Sequence, residues 1–132
     1  MIFIDSNVII RFVLNDNPKL SAKSYQILKQ IENGAKVYLA PIILAEIVYV
    51  LLKVYKLGKT EIKNKVLPVV MMENINMEKK DILPRAFEFF VSKNVDFEDA
   101  YLAALMEKKQ IKKLYSFDED FDKFPQIERL EG

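Results

Sequence analysis

If this chain is a hydrolase, carboxylates and a hard metal ion are its natural means. The 132-residue sequence contains neither Cys nor His, which removes thiol nucleophiles, disulfides, Cys/His zinc sites and imidazole acid–base catalysis. A metal-free ribonuclease mechanism built on a histidine pair is excluded with them. Four acids stand out by their setting. Asp5 ends the apolar run Met1-Ile2-Phe3-Ile4, and Asp118 ends a second strand-like run through Leu114, Tyr115 and Phe117. Glu46 interrupts the apolar stretch from Leu39 to Leu52, and Asp99 falls in the first turn of a predicted helix. If these four converge on one crevice they repel strongly, so that some protonate or a divalent cation sits among them. Mg²⁺ or Mn²⁺ suits an all-oxygen donor set, and either can lower the pKa of a water and stabilise charge on a phosphate.

The elements that must position these acids follow from periodicity and punctuation. The first run reads as a strand buried on both faces, as in a parallel sheet, so that Asp5 stands at the lip of the crevice beyond the strand's carboxyl end. Ser6 or Asn7 is expected to cap a helix beginning at Val8, and Asp5-Ser6-Asn7 reads equally well as no more than a polar turn and cap. After Asn15-Asp16-Asn17-Pro18, Ser21 is expected to cap an amphipathic helix with Ala22, Tyr25, Leu28 and Ile31 inward, stopped at Asn33-Gly34. Val37-Tyr38-Leu39 completes a β-α-β unit.

Pro41 opens a helix, Ile42 to Tyr55, that is apolar on nearly every side. Within it Glu46 is expected to be buried, at a cost of several kcal/mol, on the order expected for an isolated charge, unless it is paired, hydrated or bound to a cation. A helix from about Thr60 to Met72 follows, with Pro68 expected to kink it, and then a small edge strand between Asn74 and Met77. The next helix starts near Asp81 with Pro84 in its first turn. Its Phe87, Phe89 and Phe90 read as core or dimer surface, since no basic residue interleaves with them as a base-stacking platform requires. Asp96 is the expected N-cap of a helix through Tyr101, Leu102 and Met106, with Asp99 three residues on in a capping-box relation. Lys108, Lys109, Lys112 and Lys113 form a charge run that is ordinarily a solvated helix end but can touch phosphate. A strand ending at the acids Asp118, Glu119 and Asp120 follows, and Ile127 to Leu130 adds a final strand.

Composition bounds the function class. The length suits one domain, residues 1–132, and 51% hydrophobic with 30% charged residues is a globular balance. With a net charge of +1, no global field drives the chain onto nucleic acid or anionic lipid, so such binding must use local patches. The apolar stretches are too short or too interrupted for a membrane span, and the N-terminus meets Asp5 too soon for a secretory signal, so a cytoplasmic protein is expected.

The order of four blocks is more specific than any one of them. Ile4-Asp5-Ser6-Asn7-Val8-Ile9, Leu44-Ala45-Glu46-Ile47-Val48, Val95-Asp96-Phe97-Glu98-Asp99-Ala100 and Ser116-Phe117-Asp118-Glu119-Asp120-Phe121 resemble the successive motifs of the PIN-domain family in its small VapC-type toxin form. The resemblance implies a three-layer α/β/α fold with a central, mainly parallel sheet. It implies a Mg²⁺- or Mn²⁺-dependent endoribonuclease whose acidic set is Asp5, Glu46, Asp99 and Asp118. Asp5, Asp99 and Asp118 are the implied metal ligands, with Glu46 a further ligand or a water-positioning group. Asn7 matches a position that orients the first Asp, Ser116 matches the Ser/Thr before the last acid, and Asp96 and Asp120 are supporting members. Ser6 departs from the commoner Thr. An RNA substrate, a homodimer and a cognate VapB-type antitoxin are also implied. Two other readings remain open. One is a non-catalytic module that keeps the fold for binding. The other is a haloacid-dehalogenase-like phosphohydrolase, which calls for a second Asp where Asn7 stands.

Overall fold

A computed structural model describes residues 1–132, and in it the chain divides into two compact units, Met1–Lys80 and Asp81–Gly132. The first unit alternates strand and helix: β1 (Ile2–Phe3), α1 (Ser6–Leu14), α2 (Pro18–Glu32), β2 (Val37–Tyr38), α3 (Pro41–Tyr49), α4 (Lys59–Val70) and β3 (Ile75–Asn76). Its sheet runs β1-β2-β3, entirely parallel, with Ile2 opposite Val37 and Val37 opposite Ile75. Parallel neighbours require crossovers, and the helices supply them. The fold is therefore of the α/β class with parallel sheets that the sequence pattern predicts.

Several local expectations are corrected. α1 begins at Ser6, not Val8, because Asp5 itself is the N-cap and its Oδ1 accepts from the Ser6 N–H at 2.8 Å. α2 begins four residues early, at Pro18, with the Asn17 side chain accepting from the Leu20 N–H. Pro at the first position costs nothing there, since its missing N–H has no helical partner. Ser21 is consequently inside the helix, buried, with its hydroxyl donating to the Arg11 carbonyl at 3.1 Å. The inward face is Ser21, Ser24, Leu28 and Ile31, and Tyr25 points outward.

Within the first unit's own sheet β1 stands at one end of the order β1-β2-β3, and Ile4 just after it is buried. The helix after Pro41 also changes character. Its α-helical part ends at Tyr49 and continues as a π-helical segment, Val50–Val54, in which the Tyr55 N–H reaches the Val50 carbonyl. Pro68 lies within α4, as expected. Leu39, Leu44, Ile47, Leu51 and Ile62 are fully buried in this unit's core.

The second unit contains α5 (Leu83–Ser92), α6 (Phe97–Lys109), β4 (Lys113–Tyr115), a short 3-10 turn (Glu119–Lys123) and β5 (Glu128–Leu130). β4 and β5 pair in parallel, Lys113 opposite Glu128 and Tyr115 opposite Leu130. α5 packs on α6 through aromatic rings: Phe87 and Phe90 both contact Phe97, at centroid separations of 5.0 and 5.6 Å. Phe89 meets Phe124 edge-on at 5.0 Å. These phenylalanines are core, each contributing about 1.5–3 kcal/mol of burial plus the preference of rings for tilted contact. No helix is long and apolar enough to cross a membrane.

Candidate metal centre

Three carboxylates of the second unit come together. One oxygen from each of Asp99, Asp118 and Asp120 lies within 4.8 Å of the other two. Two local devices produce this. Asp99 occupies the third position of α6, one turn into the helix, so the helix start fixes its height. Asp118 and Asp120 flank the sharp turn that ends the β4 segment. The Ser116 hydroxyl accepts from the Asp118 N–H at 3.0 Å, and Asp118 Oδ1 accepts from the Asp120 N–H at 2.9 Å. Asp118 thus caps the 3-10 turn, and the turn folds Asp120 back toward it. Arg129 holds the same corner from behind, donating to the Ser116 carbonyl and pairing with Asp122.

The electrostatics of the cluster fall most heavily on Asp99. Its pKa is raised from the ordinary 3.8 to about 6, first by partial burial and then by the charges of Asp118, Asp96, Asp120 and Glu98. Three carboxylates in such proximity favour either a proton or a cation among them. Lys123 neutralises part of the charge, with its Nζ 3.0 Å from Asp120 and also donating to the Asn94 carbonyl. That leaves Asp99 and Asp118 without a basic partner in the cluster. An all-oxygen, net-negative, half-exposed donor set of this kind fits a hard divalent cation such as Mg²⁺ or Mn²⁺ better than any softer metal.

Asp96 occupies the N-cap position of α6, but its side chain makes no capping hydrogen bond, contrary to expectation. Its carboxylate remains available and acts on Asp99 through its charge. Asp120, a supporting member by the motif resemblance, stands beside Asp99 and Asp118. The Asp118-x-Asp120 spacing carries the signal, since an Asp capping a tight turn brings the residue two places on back to its own side chain.

The remaining acids belong to the first unit. Asp5 lies two residues past the end of β1 and is exposed, with one carboxylate oxygen accepting from the Ser6 N–H. Asn7 is exposed in the first turn of α1 and lines a cleft of about 350 Å³ with Arg11, Lys23 and Ile27. Glu46 corrects the expectation of a buried charge. It is exposed, because α3 turns Leu44, Ile47 and Val48 inward and Ile42, Glu46 and Tyr49 outward. The desolvation cost anticipated for it therefore does not arise, and the exposed apolar neighbour Ile42, at 77%, takes the unfavourable place instead.

A family model described as the PIN domain matches residues 2–127. Comparison with curated proteins gives no match.

Proposed function

Because the chain belongs to the PIN-domain family, whose members are generally metal-dependent nucleases, we propose that it is a Mg²⁺- or Mn²⁺-dependent endoribonuclease. The observation that carries the reading is the convergence of Asp99, Asp118 and Asp120, with the Asp99 carboxyl raised to about 6. In this reading residues 1–132 act as a single PIN-like domain. Asp5, Asp99 and Asp118 are the metal ligands, Glu46 is a ligand or positions the attacking water, and Asp120 and Asp96 add negative charge around them.

The chain's own residues have defined tasks. Ser116 holds the backbone that aims Asp118, and the α6 N-terminus sets Asp99. Asn7 orients Asp5. When bound, the cation supplies a lowered water pKa and positive charge beside the scissile phosphate. Hydrolysis then leaves 5′-phosphate and 3′-hydroxyl ends. The motif resemblance extends the proposal to the toxin of a VapBC-type pair. It assigns a cytoplasmic homodimer, held inactive by a VapB-type antitoxin that presents a basic side chain to the acids.

The test is incubation of purified protein with total RNA and mapping of the cut ends. Cleavage that requires Mn²⁺ or Mg²⁺, stops with chelator, and disappears in a folded Asp5→Asn variant supports the proposal. Phosphate-monoester hydrolysis through an aspartyl intermediate would instead place the chain with the haloacid-dehalogenase-like enzymes. Antitoxin binding with no RNA cleavage under any metal would leave a binding module.

A further inference from the structure

Arg129 is the most enclosed of the chain's three arginines. Its side chain is 12% exposed, against 22% for Arg11 and 42% for Arg85. A guanidinium taken this far out of water is costly unless its donors are met. Arg129 meets them as a fork. Its Nε and Nη2 donate to the two carboxylate oxygens of Asp122 at 3.0 and 3.2 Å, and its Nη1 donates to the Ser116 carbonyl at 3.2 Å, with Glu131 3.6 Å away. Asp122, by contrast, stays 56% exposed. An ordinary surface ion pair leaves both partners in solvent and contributes little. Here the guanidinium is covered where it bridges two points of the chain.

Those two points bracket the acids. Ser116 and Asp122 lie on either side of Asp118 and Asp120, two of the three carboxylates of the cluster. β5 carries the arginine: Arg129 is opposite Leu114 of β4, and the Leu130 carbonyl accepts from the Ser116 N–H at 3.0 Å. We propose that Arg129 is a positioning residue for the metal centre, a strand-borne clamp that fixes both ends of segment 116–122 and so sets the spacing of Asp118 and Asp120 for a divalent cation. This role rests on the metal-dependent reading above and adds to it a residue outside the four sequence blocks. Burial of Phe121 holds the middle of the segment to the core. Apolar burial is non-directional, however, so it fixes depth and leaves the peptides that aim the acids free to turn. Directional bonds restrain that turning, and Arg129 supplies three of them from one rigid, planar group.

The experiment titrates Mn²⁺ into the metal-free wild type, Arg129→Gln and Arg129→Lys by calorimetry. Thermal unfolding in chelator and cleavage of total RNA across Mn²⁺ concentrations are followed in parallel. Arg129→Gln is expected to weaken Mn²⁺ binding about tenfold, the lower end of what is lost with groups that orient metal ligands. Arg129→Lys keeps the charge but presents a point donor in place of the fork, and should also bind more weakly than wild type. The Mn²⁺ concentration that supports half-maximal cleavage should shift by the same factor, with cleavage recovering at saturating Mn²⁺.

Charge alone predicts the opposite sign. Removing a positive charge from this corner strengthens the acids' hold on a cation, and exchanging it for lysine changes nothing. Tighter or unchanged Mn²⁺ binding by Arg129→Gln, or wild-type binding by Arg129→Lys, would therefore overturn the clamp. So would a loss of thermal stability in both variants with Mn²⁺ affinity intact, the mark of a purely structural tie. If Arg129→Gln does not fold, the charge-conserving lysine variant decides by the same comparison. Since metal binding is read separately from cleavage, a wild type whose Mn²⁺ affinity depends on Arg129 but which cuts no RNA would support the clamp and count against the nuclease. Metal-dependent cleavage with an affinity indifferent to Arg129 would do the reverse.

Discussion

Asp99→Asn should make the metal-free protein more stable while removing its activity. The Asp99 carboxyl is displaced from 3.8 to about 6 in the folded chain, which at full strength corresponds to about 3 kcal/mol of preference for the neutral form. Asp99 is only partly buried, and solvent screening reduces this to about 1–2 kcal/mol. Asparagine removes the charge at similar size. It also gives up a favourable interaction with the α6 N-terminus, where a negative charge in the first turn is worth about 0.3–1 kcal/mol. Repulsion and burial outweigh the helix dipole, leaving a net gain of about 0.5–1 kcal/mol at pH 7.5. With a slope typical of small proteins, the urea midpoint in chelator should rise by about half a molar.

The sign of the pH dependence follows from the same displacement. A carboxyl whose folded pKa is raised binds more protons folded than unfolded, so this contribution to stability is present below pH 3.8 and is lost as pH climbs through about 6. The advantage of Asp99→Asn should therefore vanish near pH 4 and reach its full size above about pH 7. Saturating Mn²⁺ should reverse the order, because a cation held at about 100 times its dissociation constant stabilises the wild type by roughly 2.7 kcal/mol, and the variant has lost a ligand. A variant that is less stable than wild type in chelator at pH 7.5, or whose advantage does not depend on pH, would refute the electrostatic account of the cluster.

Other perturbations separate the roles of neighbouring residues. Ser116→Ala removes the acceptor of the Asp118 N–H and should cost about 0.5–1.5 kcal/mol by urea unfolding, with weaker Mn²⁺ binding by titration calorimetry. Glu46→Gln should leave stability within about 0.5 kcal/mol because Glu46 is exposed, while RNA cleavage falls by at least tenfold, on the scale of one lost general-base or ligand contact. Phe87→Ala empties a fully buried ring site and should cost about 3–5 kcal/mol in thermal or urea unfolding. Asn17→Ala removes the α2 cap and should cost about 1 kcal/mol, with no change in metal binding.

What could be read before folding depended on how local the cause was. The strand–helix alternation, the Pro84 and Pro41 helix starts and the aromatic core of α5 follow from short-range periodicity and turn chemistry, and they appear where expected. The helices capped by Asp5 and Asn17 start two and four residues before the positions that the residue pattern suggests. Several polar residues there are competent caps, and only the packing of α2 on α1, with Ser21 bonded to Arg11, selects among them. The π-helical segment after Tyr49 has no signal in the residue pattern, because Val50–Val54 is as apolar as the helix before it.

For the candidate site, residue types alone narrowed the chemistry. A chain with no Cys and no His lacks thiol and imidazole catalysis, and acids at strand ends and a helix start make carboxylates with a hard cation its natural means of hydrolysis. Which acids stand together was decided by tertiary structure: a Ser116-braced turn and the first turn of α6, distant in sequence, bring Asp118, Asp120 and Asp99 to one point. The same structure took Glu46 out of the interior, since a helix that is apolar on nearly every side does not say which side faces its neighbours. Charge and residue type are properties of the chain, whereas burial and proximity exist only once distant segments have packed.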